Sequence, residues 1–104
     1  MRVDFSDEAI LKLEEIHARI KIYQSEDFAD AVIDRIFDKT QLLLDFPAMG
    51  AIERNKVFGD SKTRYLLEGY YKILYQINLN QGIIEVISVF DTRQDPSKML
   101  SKEE

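Results

Sequence analysis

From Arg64 to Arg93 the chain alternates with a period of two, and that alternation leaves few folds open. Thr63 to Leu67 is a short strand-like run, and Glu68-Gly69 supplies a tight turn. Along Tyr70 to Leu79, residues Tyr71, Ile73, Tyr75, Ile77 and Leu79 share one face; Tyr70, Lys72, Leu74, Gln76 and Asn78 share the other. Aromatic and β-branched residues at this spacing are the mark of a strand. Asn80-Gln81-Gly82 turns the chain, with Gly82 suited to a left-handed position in a three-residue loop. Ile83 to Phe90 then returns with apolar residues on both faces, as a strand inside a sheet does. A three-strand antiparallel meander is the expected core.

The N-terminal half reads as helices. Arg2 to Phe5 alternates and predicts a short strand. Ser6 is placed as an N-cap, followed by Asp7 and Glu8 where the helix dipole favours negative charge. Ile10, Leu13, Ile16 and Ile20 recur at helical spacing to about Tyr23. Ser25 is a second N-cap, and Phe28, Val32 and Ile36, widened by Ala29, Ile33, Phe37 and Leu43, carry a second helix toward Asp45. Phe46-Pro47 ends it, because the residue before proline is driven out of the helical region. So short a link makes the two helices an antiparallel hairpin. Ile52 to Phe58 is expected as a ragged strand, and Ser97 to Glu104 as a short tail.

At 104 residues the chain has room for one core, so residues 1–104 are expected as a single domain. The absence of cysteine excludes disulfides and thiolate metal sites. The acidic start argues against a signal peptide, and no apolar run reaches the roughly 20 residues that span a bilayer. A cytoplasmic location without membrane contact is expected. Residues 1–49 hold 6 Lys/Arg against 11 Asp/Glu, a net of −5, whereas residues 50–104 hold 8 of each. Overall negative charge argues against broad or sequence-specific nucleic-acid affinity, which depends on neutralising phosphates.

Signatures of catalysis are sparse. There is no Gly-rich phosphate loop, no metal-ligand spacing and no cofactor motif. His17, the single histidine, is expected at the surface or its boundary. The meander should bring Arg64, Lys72 and Arg93 to one edge, within roughly 5 to 10 Å. Converging cations can stabilise a phosphoryl transition state or bind an acidic partner. The plainer reading pairs them with Glu68, Glu85 and Asp91 as edge salt bridges.

The order of segments resembles the RelE/ParE toxin superfamily over nearly the whole chain. The likeness is carried by Val3 to Ala9, the helix hairpin, Leu44-Asp45-Phe46-Pro47-Ala48-Met49-Gly50, Arg64-Tyr65-Leu66, Tyr71 to Tyr75, and Val89 to Pro96. It implies an α+β fold in which an N-terminal antiparallel helix hairpin packs on a curled antiparallel sheet. It also implies a toxin of a type II toxin–antitoxin pair, causing growth arrest and neutralised by a cognate antitoxin. Arg64 matches the arginine of the family's Arg-x-Leu element, and Lys72 a position that commonly holds arginine. ParE-like members inhibit DNA gyrase; RelE-like members cut mRNA on the ribosome with a basic surface and an acid–base pair. With no histidine in the sheet half, no tyrosine after Tyr75 and net charge −5, the ParE-like activity fits better. The alternatives are a ribosome-dependent endoribonuclease using Arg64, Lys72 and Arg93 with Glu53 as base, and a non-toxic binding module. Candidate contacts to target or antitoxin are Arg64, Lys72, Asp91, Arg93, Tyr65, Tyr70 and Leu74. No cofactor or metal is implied, and homodimerisation stays open. Lys72→Glu is expected to weaken target engagement while leaving the fold intact.

Overall fold

The computed structural model describes residues 1–58 and 61–94. In chain order the elements are β1 (Arg2–Phe5), α1 (Asp7–Tyr23), α2 (Glu26–Gln41), β2 (Ala51–Ile52), β3 (Arg64–Glu68), β4 (Tyr71–Asn78) and β5 (Ile83–Asp91). Single 3₁₀ turns occupy Leu42–Leu44 and Lys56–Phe58.

Both expected caps form. The Ser6 hydroxyl accepts from the Ala9 N–H at 3.1 Å, and the Ser25 hydroxyl accepts from the Phe28 N–H at 3.0 Å. Each satisfies an amide that the first helical turn leaves without an internal partner. Only Gln24 and Ser25 separate the helices, so the chain folds back and His17 Nε2 meets Asp30 Oδ1 at 2.7 Å.

The sheet runs β1-β5-β4-β3-β2. The meander β3–β4–β5 is antiparallel, as is β2 on β3, but β1 joins β5 in parallel, so the five-stranded sheet is mixed. The apolar β5 needs a neighbour on each edge, and β1 supplies one: the Ser6 N–H donates to the Val86 carbonyl at 2.9 Å. A bulge opposite Leu74/Tyr75 pairs Leu74 with Ser88 and Tyr75 with Val86, skipping Ile87. That extra residue lets Val89 and Val86 point to the same side, and the Ser6 hydroxyl donates to the spare Ile87 carbonyl at 2.9 Å.

Tyr71, Ile73 and Tyr75 join Leu66, Ile84, Val86 and Val89 in one core with Ala9, Ile16, Ile20, Ala29, Val32, Ile36 and Leu43. The helix pair therefore covers one face of the sheet. Phe5 stacks on Phe37 with ring centroids 6.0 Å apart, closing the β1 side. Leu74 is fully buried but lies outside this core, on the opposite face.

Four expectations need adjustment. β3 continues to Glu68, so the turn is Gly69-Tyr70 and Arg64 faces Tyr75 rather than Ile73. Gly69 takes φ 58°, a region that costs glycine nothing. The second hairpin loop spans four residues, Leu79 to Gly82, with Gly82 left-handed at φ 64° as expected. Of the run from Ile52 to Phe58 only Ile52 is strand, and α2 stops at Gln41, before its expected end. Gly59, Asp60 and the tail after Gln94 lie outside the described residues.

Candidate functional site

Strand alternation decides where the expected cations go. Arg64 pairs with Tyr75 and Lys72 with Leu67, three residues farther along β3, which is about 10 Å and the opposite face. Asp91 pairs with Tyr71, adjacent to Lys72 in sequence and so again across the sheet from it. Arg64, Lys72 and Arg93 therefore do not gather at one edge. A shift of two residues from the expected β3 register, with Arg64 and Lys72 on opposite faces, accounts for the difference. Each cation instead has its own local partner.

On the face away from the helices, Lys72 makes an ion pair with Glu53, whose N–H donates to the Thr63 carbonyl at 2.8 Å beside β2. The Glu53 side chain is only 5% exposed and that of Lys72 19%. The Lys72 ammonium also sits 4.2 Å from the centre of the Tyr65 ring. Burial pushes the Glu53 carboxyl up; hydrogen bonds from Lys72 and the Asn55 amide, with the ammonium charge, hold it below its ordinary value. The Lys72 ammonium meets the buried Oε2, and the Asn55 N–H donates to Oε1 at 3.0 Å. A carboxylate so stabilised is a weak general base.

Near β2, the Tyr75 hydroxyl donates to the Pro47 carbonyl (2.8 Å) and accepts from the Gly50 N–H (2.9 Å). Arg64 donates to the Gly50 carbonyl at 2.8 Å and reaches that of Ala48 at 3.4 Å. A buried tyrosine and an arginine thus pin the loop that follows the second helix. Gly50 is required there, since a Cβ would fall 2.6 Å from both the Tyr65 carbonyl and the Tyr75 hydroxyl.

The far end of the meander is built differently. Arg93 Nη2 donates to Asp91 Oδ2 at 2.8 Å and its Nε to Oδ1 at 3.0 Å, a two-point fork. These bonds, outweighing burial, hold the Asp91 carboxyl below the usual range. The guanidinium lies 4.4 Å over the Tyr70 ring, and the Arg93 side chain is 57% exposed against 7% for Asp91. Thr92 closes the corner, its N–H and hydroxyl both donating to the Tyr70 carbonyl. Burial and the Asp91 charge raise the Tyr71 hydroxyl.

Between this corner and the helices runs a groove of about 360 Å³ lined by Ile20, Phe28, Val32, Arg35, Tyr70 and Arg93. It shares Ile20, Gln24, Tyr71 and Arg93 with a smaller cleft that reaches Arg19. Of the expected contact residues, Asp91, Arg93 and Tyr70 belong to this end, whereas Tyr65, Lys72 and Leu74 lie on the opposite face. Arg19 and Arg35 were not among the expected contacts, and Phe28 was expected only as part of the apolar stripe of α2. The only signal was that Phe28, Val32 and Arg35 follow one another at i, i+4 and i+7 on α2, a face that helix periodicity alone assigns to the core. Among the described residues, no group of three or more His, Cys, Asp or Glu could hold a metal ion.

A family model described as the ParE toxin of the type II toxin–antitoxin system, parDE, matches residues 3–96. No curated protein sequence matches significantly. Among solved structures, the chromosomal ParDE toxin–antitoxin system of P. aeruginosa superposes with a TM-score of 0.73 at 15% identity, covering 88% of this chain and 95% of that one. The RelBE2 toxin–antitoxin complex of Mycobacterium tuberculosis gives 0.58 at 22% identity, with 86% and 95% covered. The isolated E. coli RelE toxin gives 0.58 at 20% identity, with 97% and 95% covered. At these identities the superpositions establish a shared fold.

Proposed function

The chain belongs to the ParE toxin family of type II toxin–antitoxin systems, and from that premise we propose a cytoplasmic toxin that acts by protein–protein inhibition, with DNA gyrase as target. A cognate antitoxin holds it inactive, a reading supported by the toxin–antitoxin complexes among its structural neighbours. One observation carries the choice of inhibition over RNA cleavage. Lys72, at the position where the nuclease reading needs a cation for phosphate, is tied to Glu53, the residue that reading needs as base. Each neutralises the other, and an acidic body of net charge −5 repels the ribosome's phosphates.

Purified toxin added to a gyrase supercoiling reaction should reduce supercoiling and leave mRNA on programmed ribosomes intact. Unchanged supercoiling together with cut mRNA would transfer the assignment to the RelE-like activity. Absence of growth arrest on induced expression would leave only a binding module.

A further inference from the structure

The sheet ends on β1, and that edge is open. The Arg2 and Ser6 amides turn inward, donating to the Gly82 and Val86 carbonyls of the β5 side at 3.1 and 2.9 Å. Asp4 lies between them in the same parallel register, so Val3 and Phe5 direct their N–H and C=O groups away from the sheet. Among the described residues nothing pairs with those groups. An edge left so is a template for another strand. It shares no residue with the groove beside Arg93, and its chemistry is independent of the toxin reading.

The side chains along the edge select the strand. Arg2 and Asp4 stand two residues apart, bonded to each other at 3.0 Å and both open to solvent. Charges on an edge ordinarily keep other chains away, but one of each sign at this spacing is its own complement. A second copy related by a two-fold axis meets β1 antiparallel, and the outward groups of Val3 and Phe5 limit the registers to those that pair odd-numbered residues. Pairing Val3 with the partner's Phe5 sets Asp4 against the partner's Asp4. Pairing Val3 with the partner's Met1 sets Arg2 against the partner's Arg2. Pairing Phe5 with the partner's Phe5 leaves little strand to share, since α1 begins at Asp7. Only the register centred on Val3 opposes Arg2 to the partner's Asp4, twice by symmetry. On the helix side it brings Met1 against the partner's Phe5; in the single chain Met1 and the Phe37 ring that stacks on Phe5 are both exposed. We propose that a second copy of this chain pairs with the β1 edge, antiparallel and centred on Val3, so that two sheets continue as one.

Sedimentation velocity of the full chain over a wide range of concentration, with two charge substitutions, tests this. The wild type should pass reversibly from monomer to dimer as concentration rises. Arg2→Asp surrounds the axis with four carboxylates and Asp4→Arg with four guanidinium groups, so either alone should weaken the dimer at least about tenfold. An equimolar mixture of the two variants restores opposite charges at every pair and should recover the dimer, as should one chain carrying both substitutions. Both side chains are exposed, so melting temperatures should stay at the wild-type value. A wild type that is monomeric at every concentration overturns the inference and leaves the edge to a different strand, such as one from the antitoxin. A dimer indifferent to either substitution overturns it by placing the contact elsewhere, and a mixture that stays monomeric overturns the register. Gyrase inhibition by a chain that never dimerises defeats the edge alone; a dimer recovered in the mixture without gyrase inhibition defeats the target alone.

Discussion

The two carboxylate–cation pairs on this sheet use the same chemistry to opposite ends. In Glu53–Lys72 both side chains are largely withdrawn from water, and the pair ties the segment after β2 to the open face of the sheet. In Asp91–Arg93 the acid is buried, but the guanidinium stands in solvent over Tyr70, beside an accessible apolar groove. A cation whose partner is as buried as itself is spent on structure. A cation gripped from one side keeps its outer edge for a partner. The first pair closes the face of the sheet away from the helices, while Tyr75, Arg64 and Gly50 close the loop after the second helix; the second pair, on the helix side, leaves its cation in solvent.

The sharpest way to break the contrast is at Tyr75. Tyr75→Ala removes a fully buried ring and both hydrogen bonds to the Pro47–Gly50 loop, and should cost about 3–5 kcal/mol in urea unfolding. Lys72→Glu sets two carboxylates together where Glu53 is buried, and should cost about 3 kcal/mol. This replaces the expectation that the variant folds normally and loses only target engagement; a melting temperature within a degree or two of wild type would mean that the buried pair contributes little to stability. Gly50→Ala drives a methyl into the Tyr75 hydroxyl and Tyr65 carbonyl and should cost about 2 kcal/mol by the same assay.

Both pairs should respond to pH as well. Asp91 and Glu53 are both held below their ordinary values, so each contributes stability that is complete above the unfolded carboxylate range and lost as pH falls through the lowered folded value. Unfolding free energy should therefore decline on acidification below about pH 4. Asp91→Asn should flatten that decline without abolishing it, since Glu53 remains. An acid limb of unchanged slope would count against the Asp91 contribution. The smallest effect is expected for Arg93→Ala. Its guanidinium is exposed, but its loss leaves the buried Asp91 carboxylate with only the residue 93 N–H as donor, and should cost about 1–2 kcal/mol in the same urea assay.

The element types were legible because they follow from local rules. Ser6 and Ser25 announce helix starts by chemistry, Gly82 announces a left-handed turn, and alternation at Tyr71, Ile73 and Tyr75 names the buried face. The end of α2 and the β2 region were harder. Leu42 to Leu44 continues a helical apolar pattern, yet the chain tightens into a 3₁₀ turn. β2 pairs with β3 over two residues only, and Glu53 then bonds to Thr63, just outside that strand.

By itself the sequence determined the helix hairpin, the meander, the core-facing tyrosines and the family, since these rest on periodicity, capping and the order of segments. Tertiary structure decided the rest: that β1 lies parallel beside β5, that Lys72 answers Glu53, and that Arg93 forks onto Asp91 beside a groove lined by Phe28 and Arg35. The reason is geometric. A shift of one residue in strand pairing moves a side chain through the sheet to the other face, and contacts between helix and hairpin depend on packing that no spacing in the chain encodes.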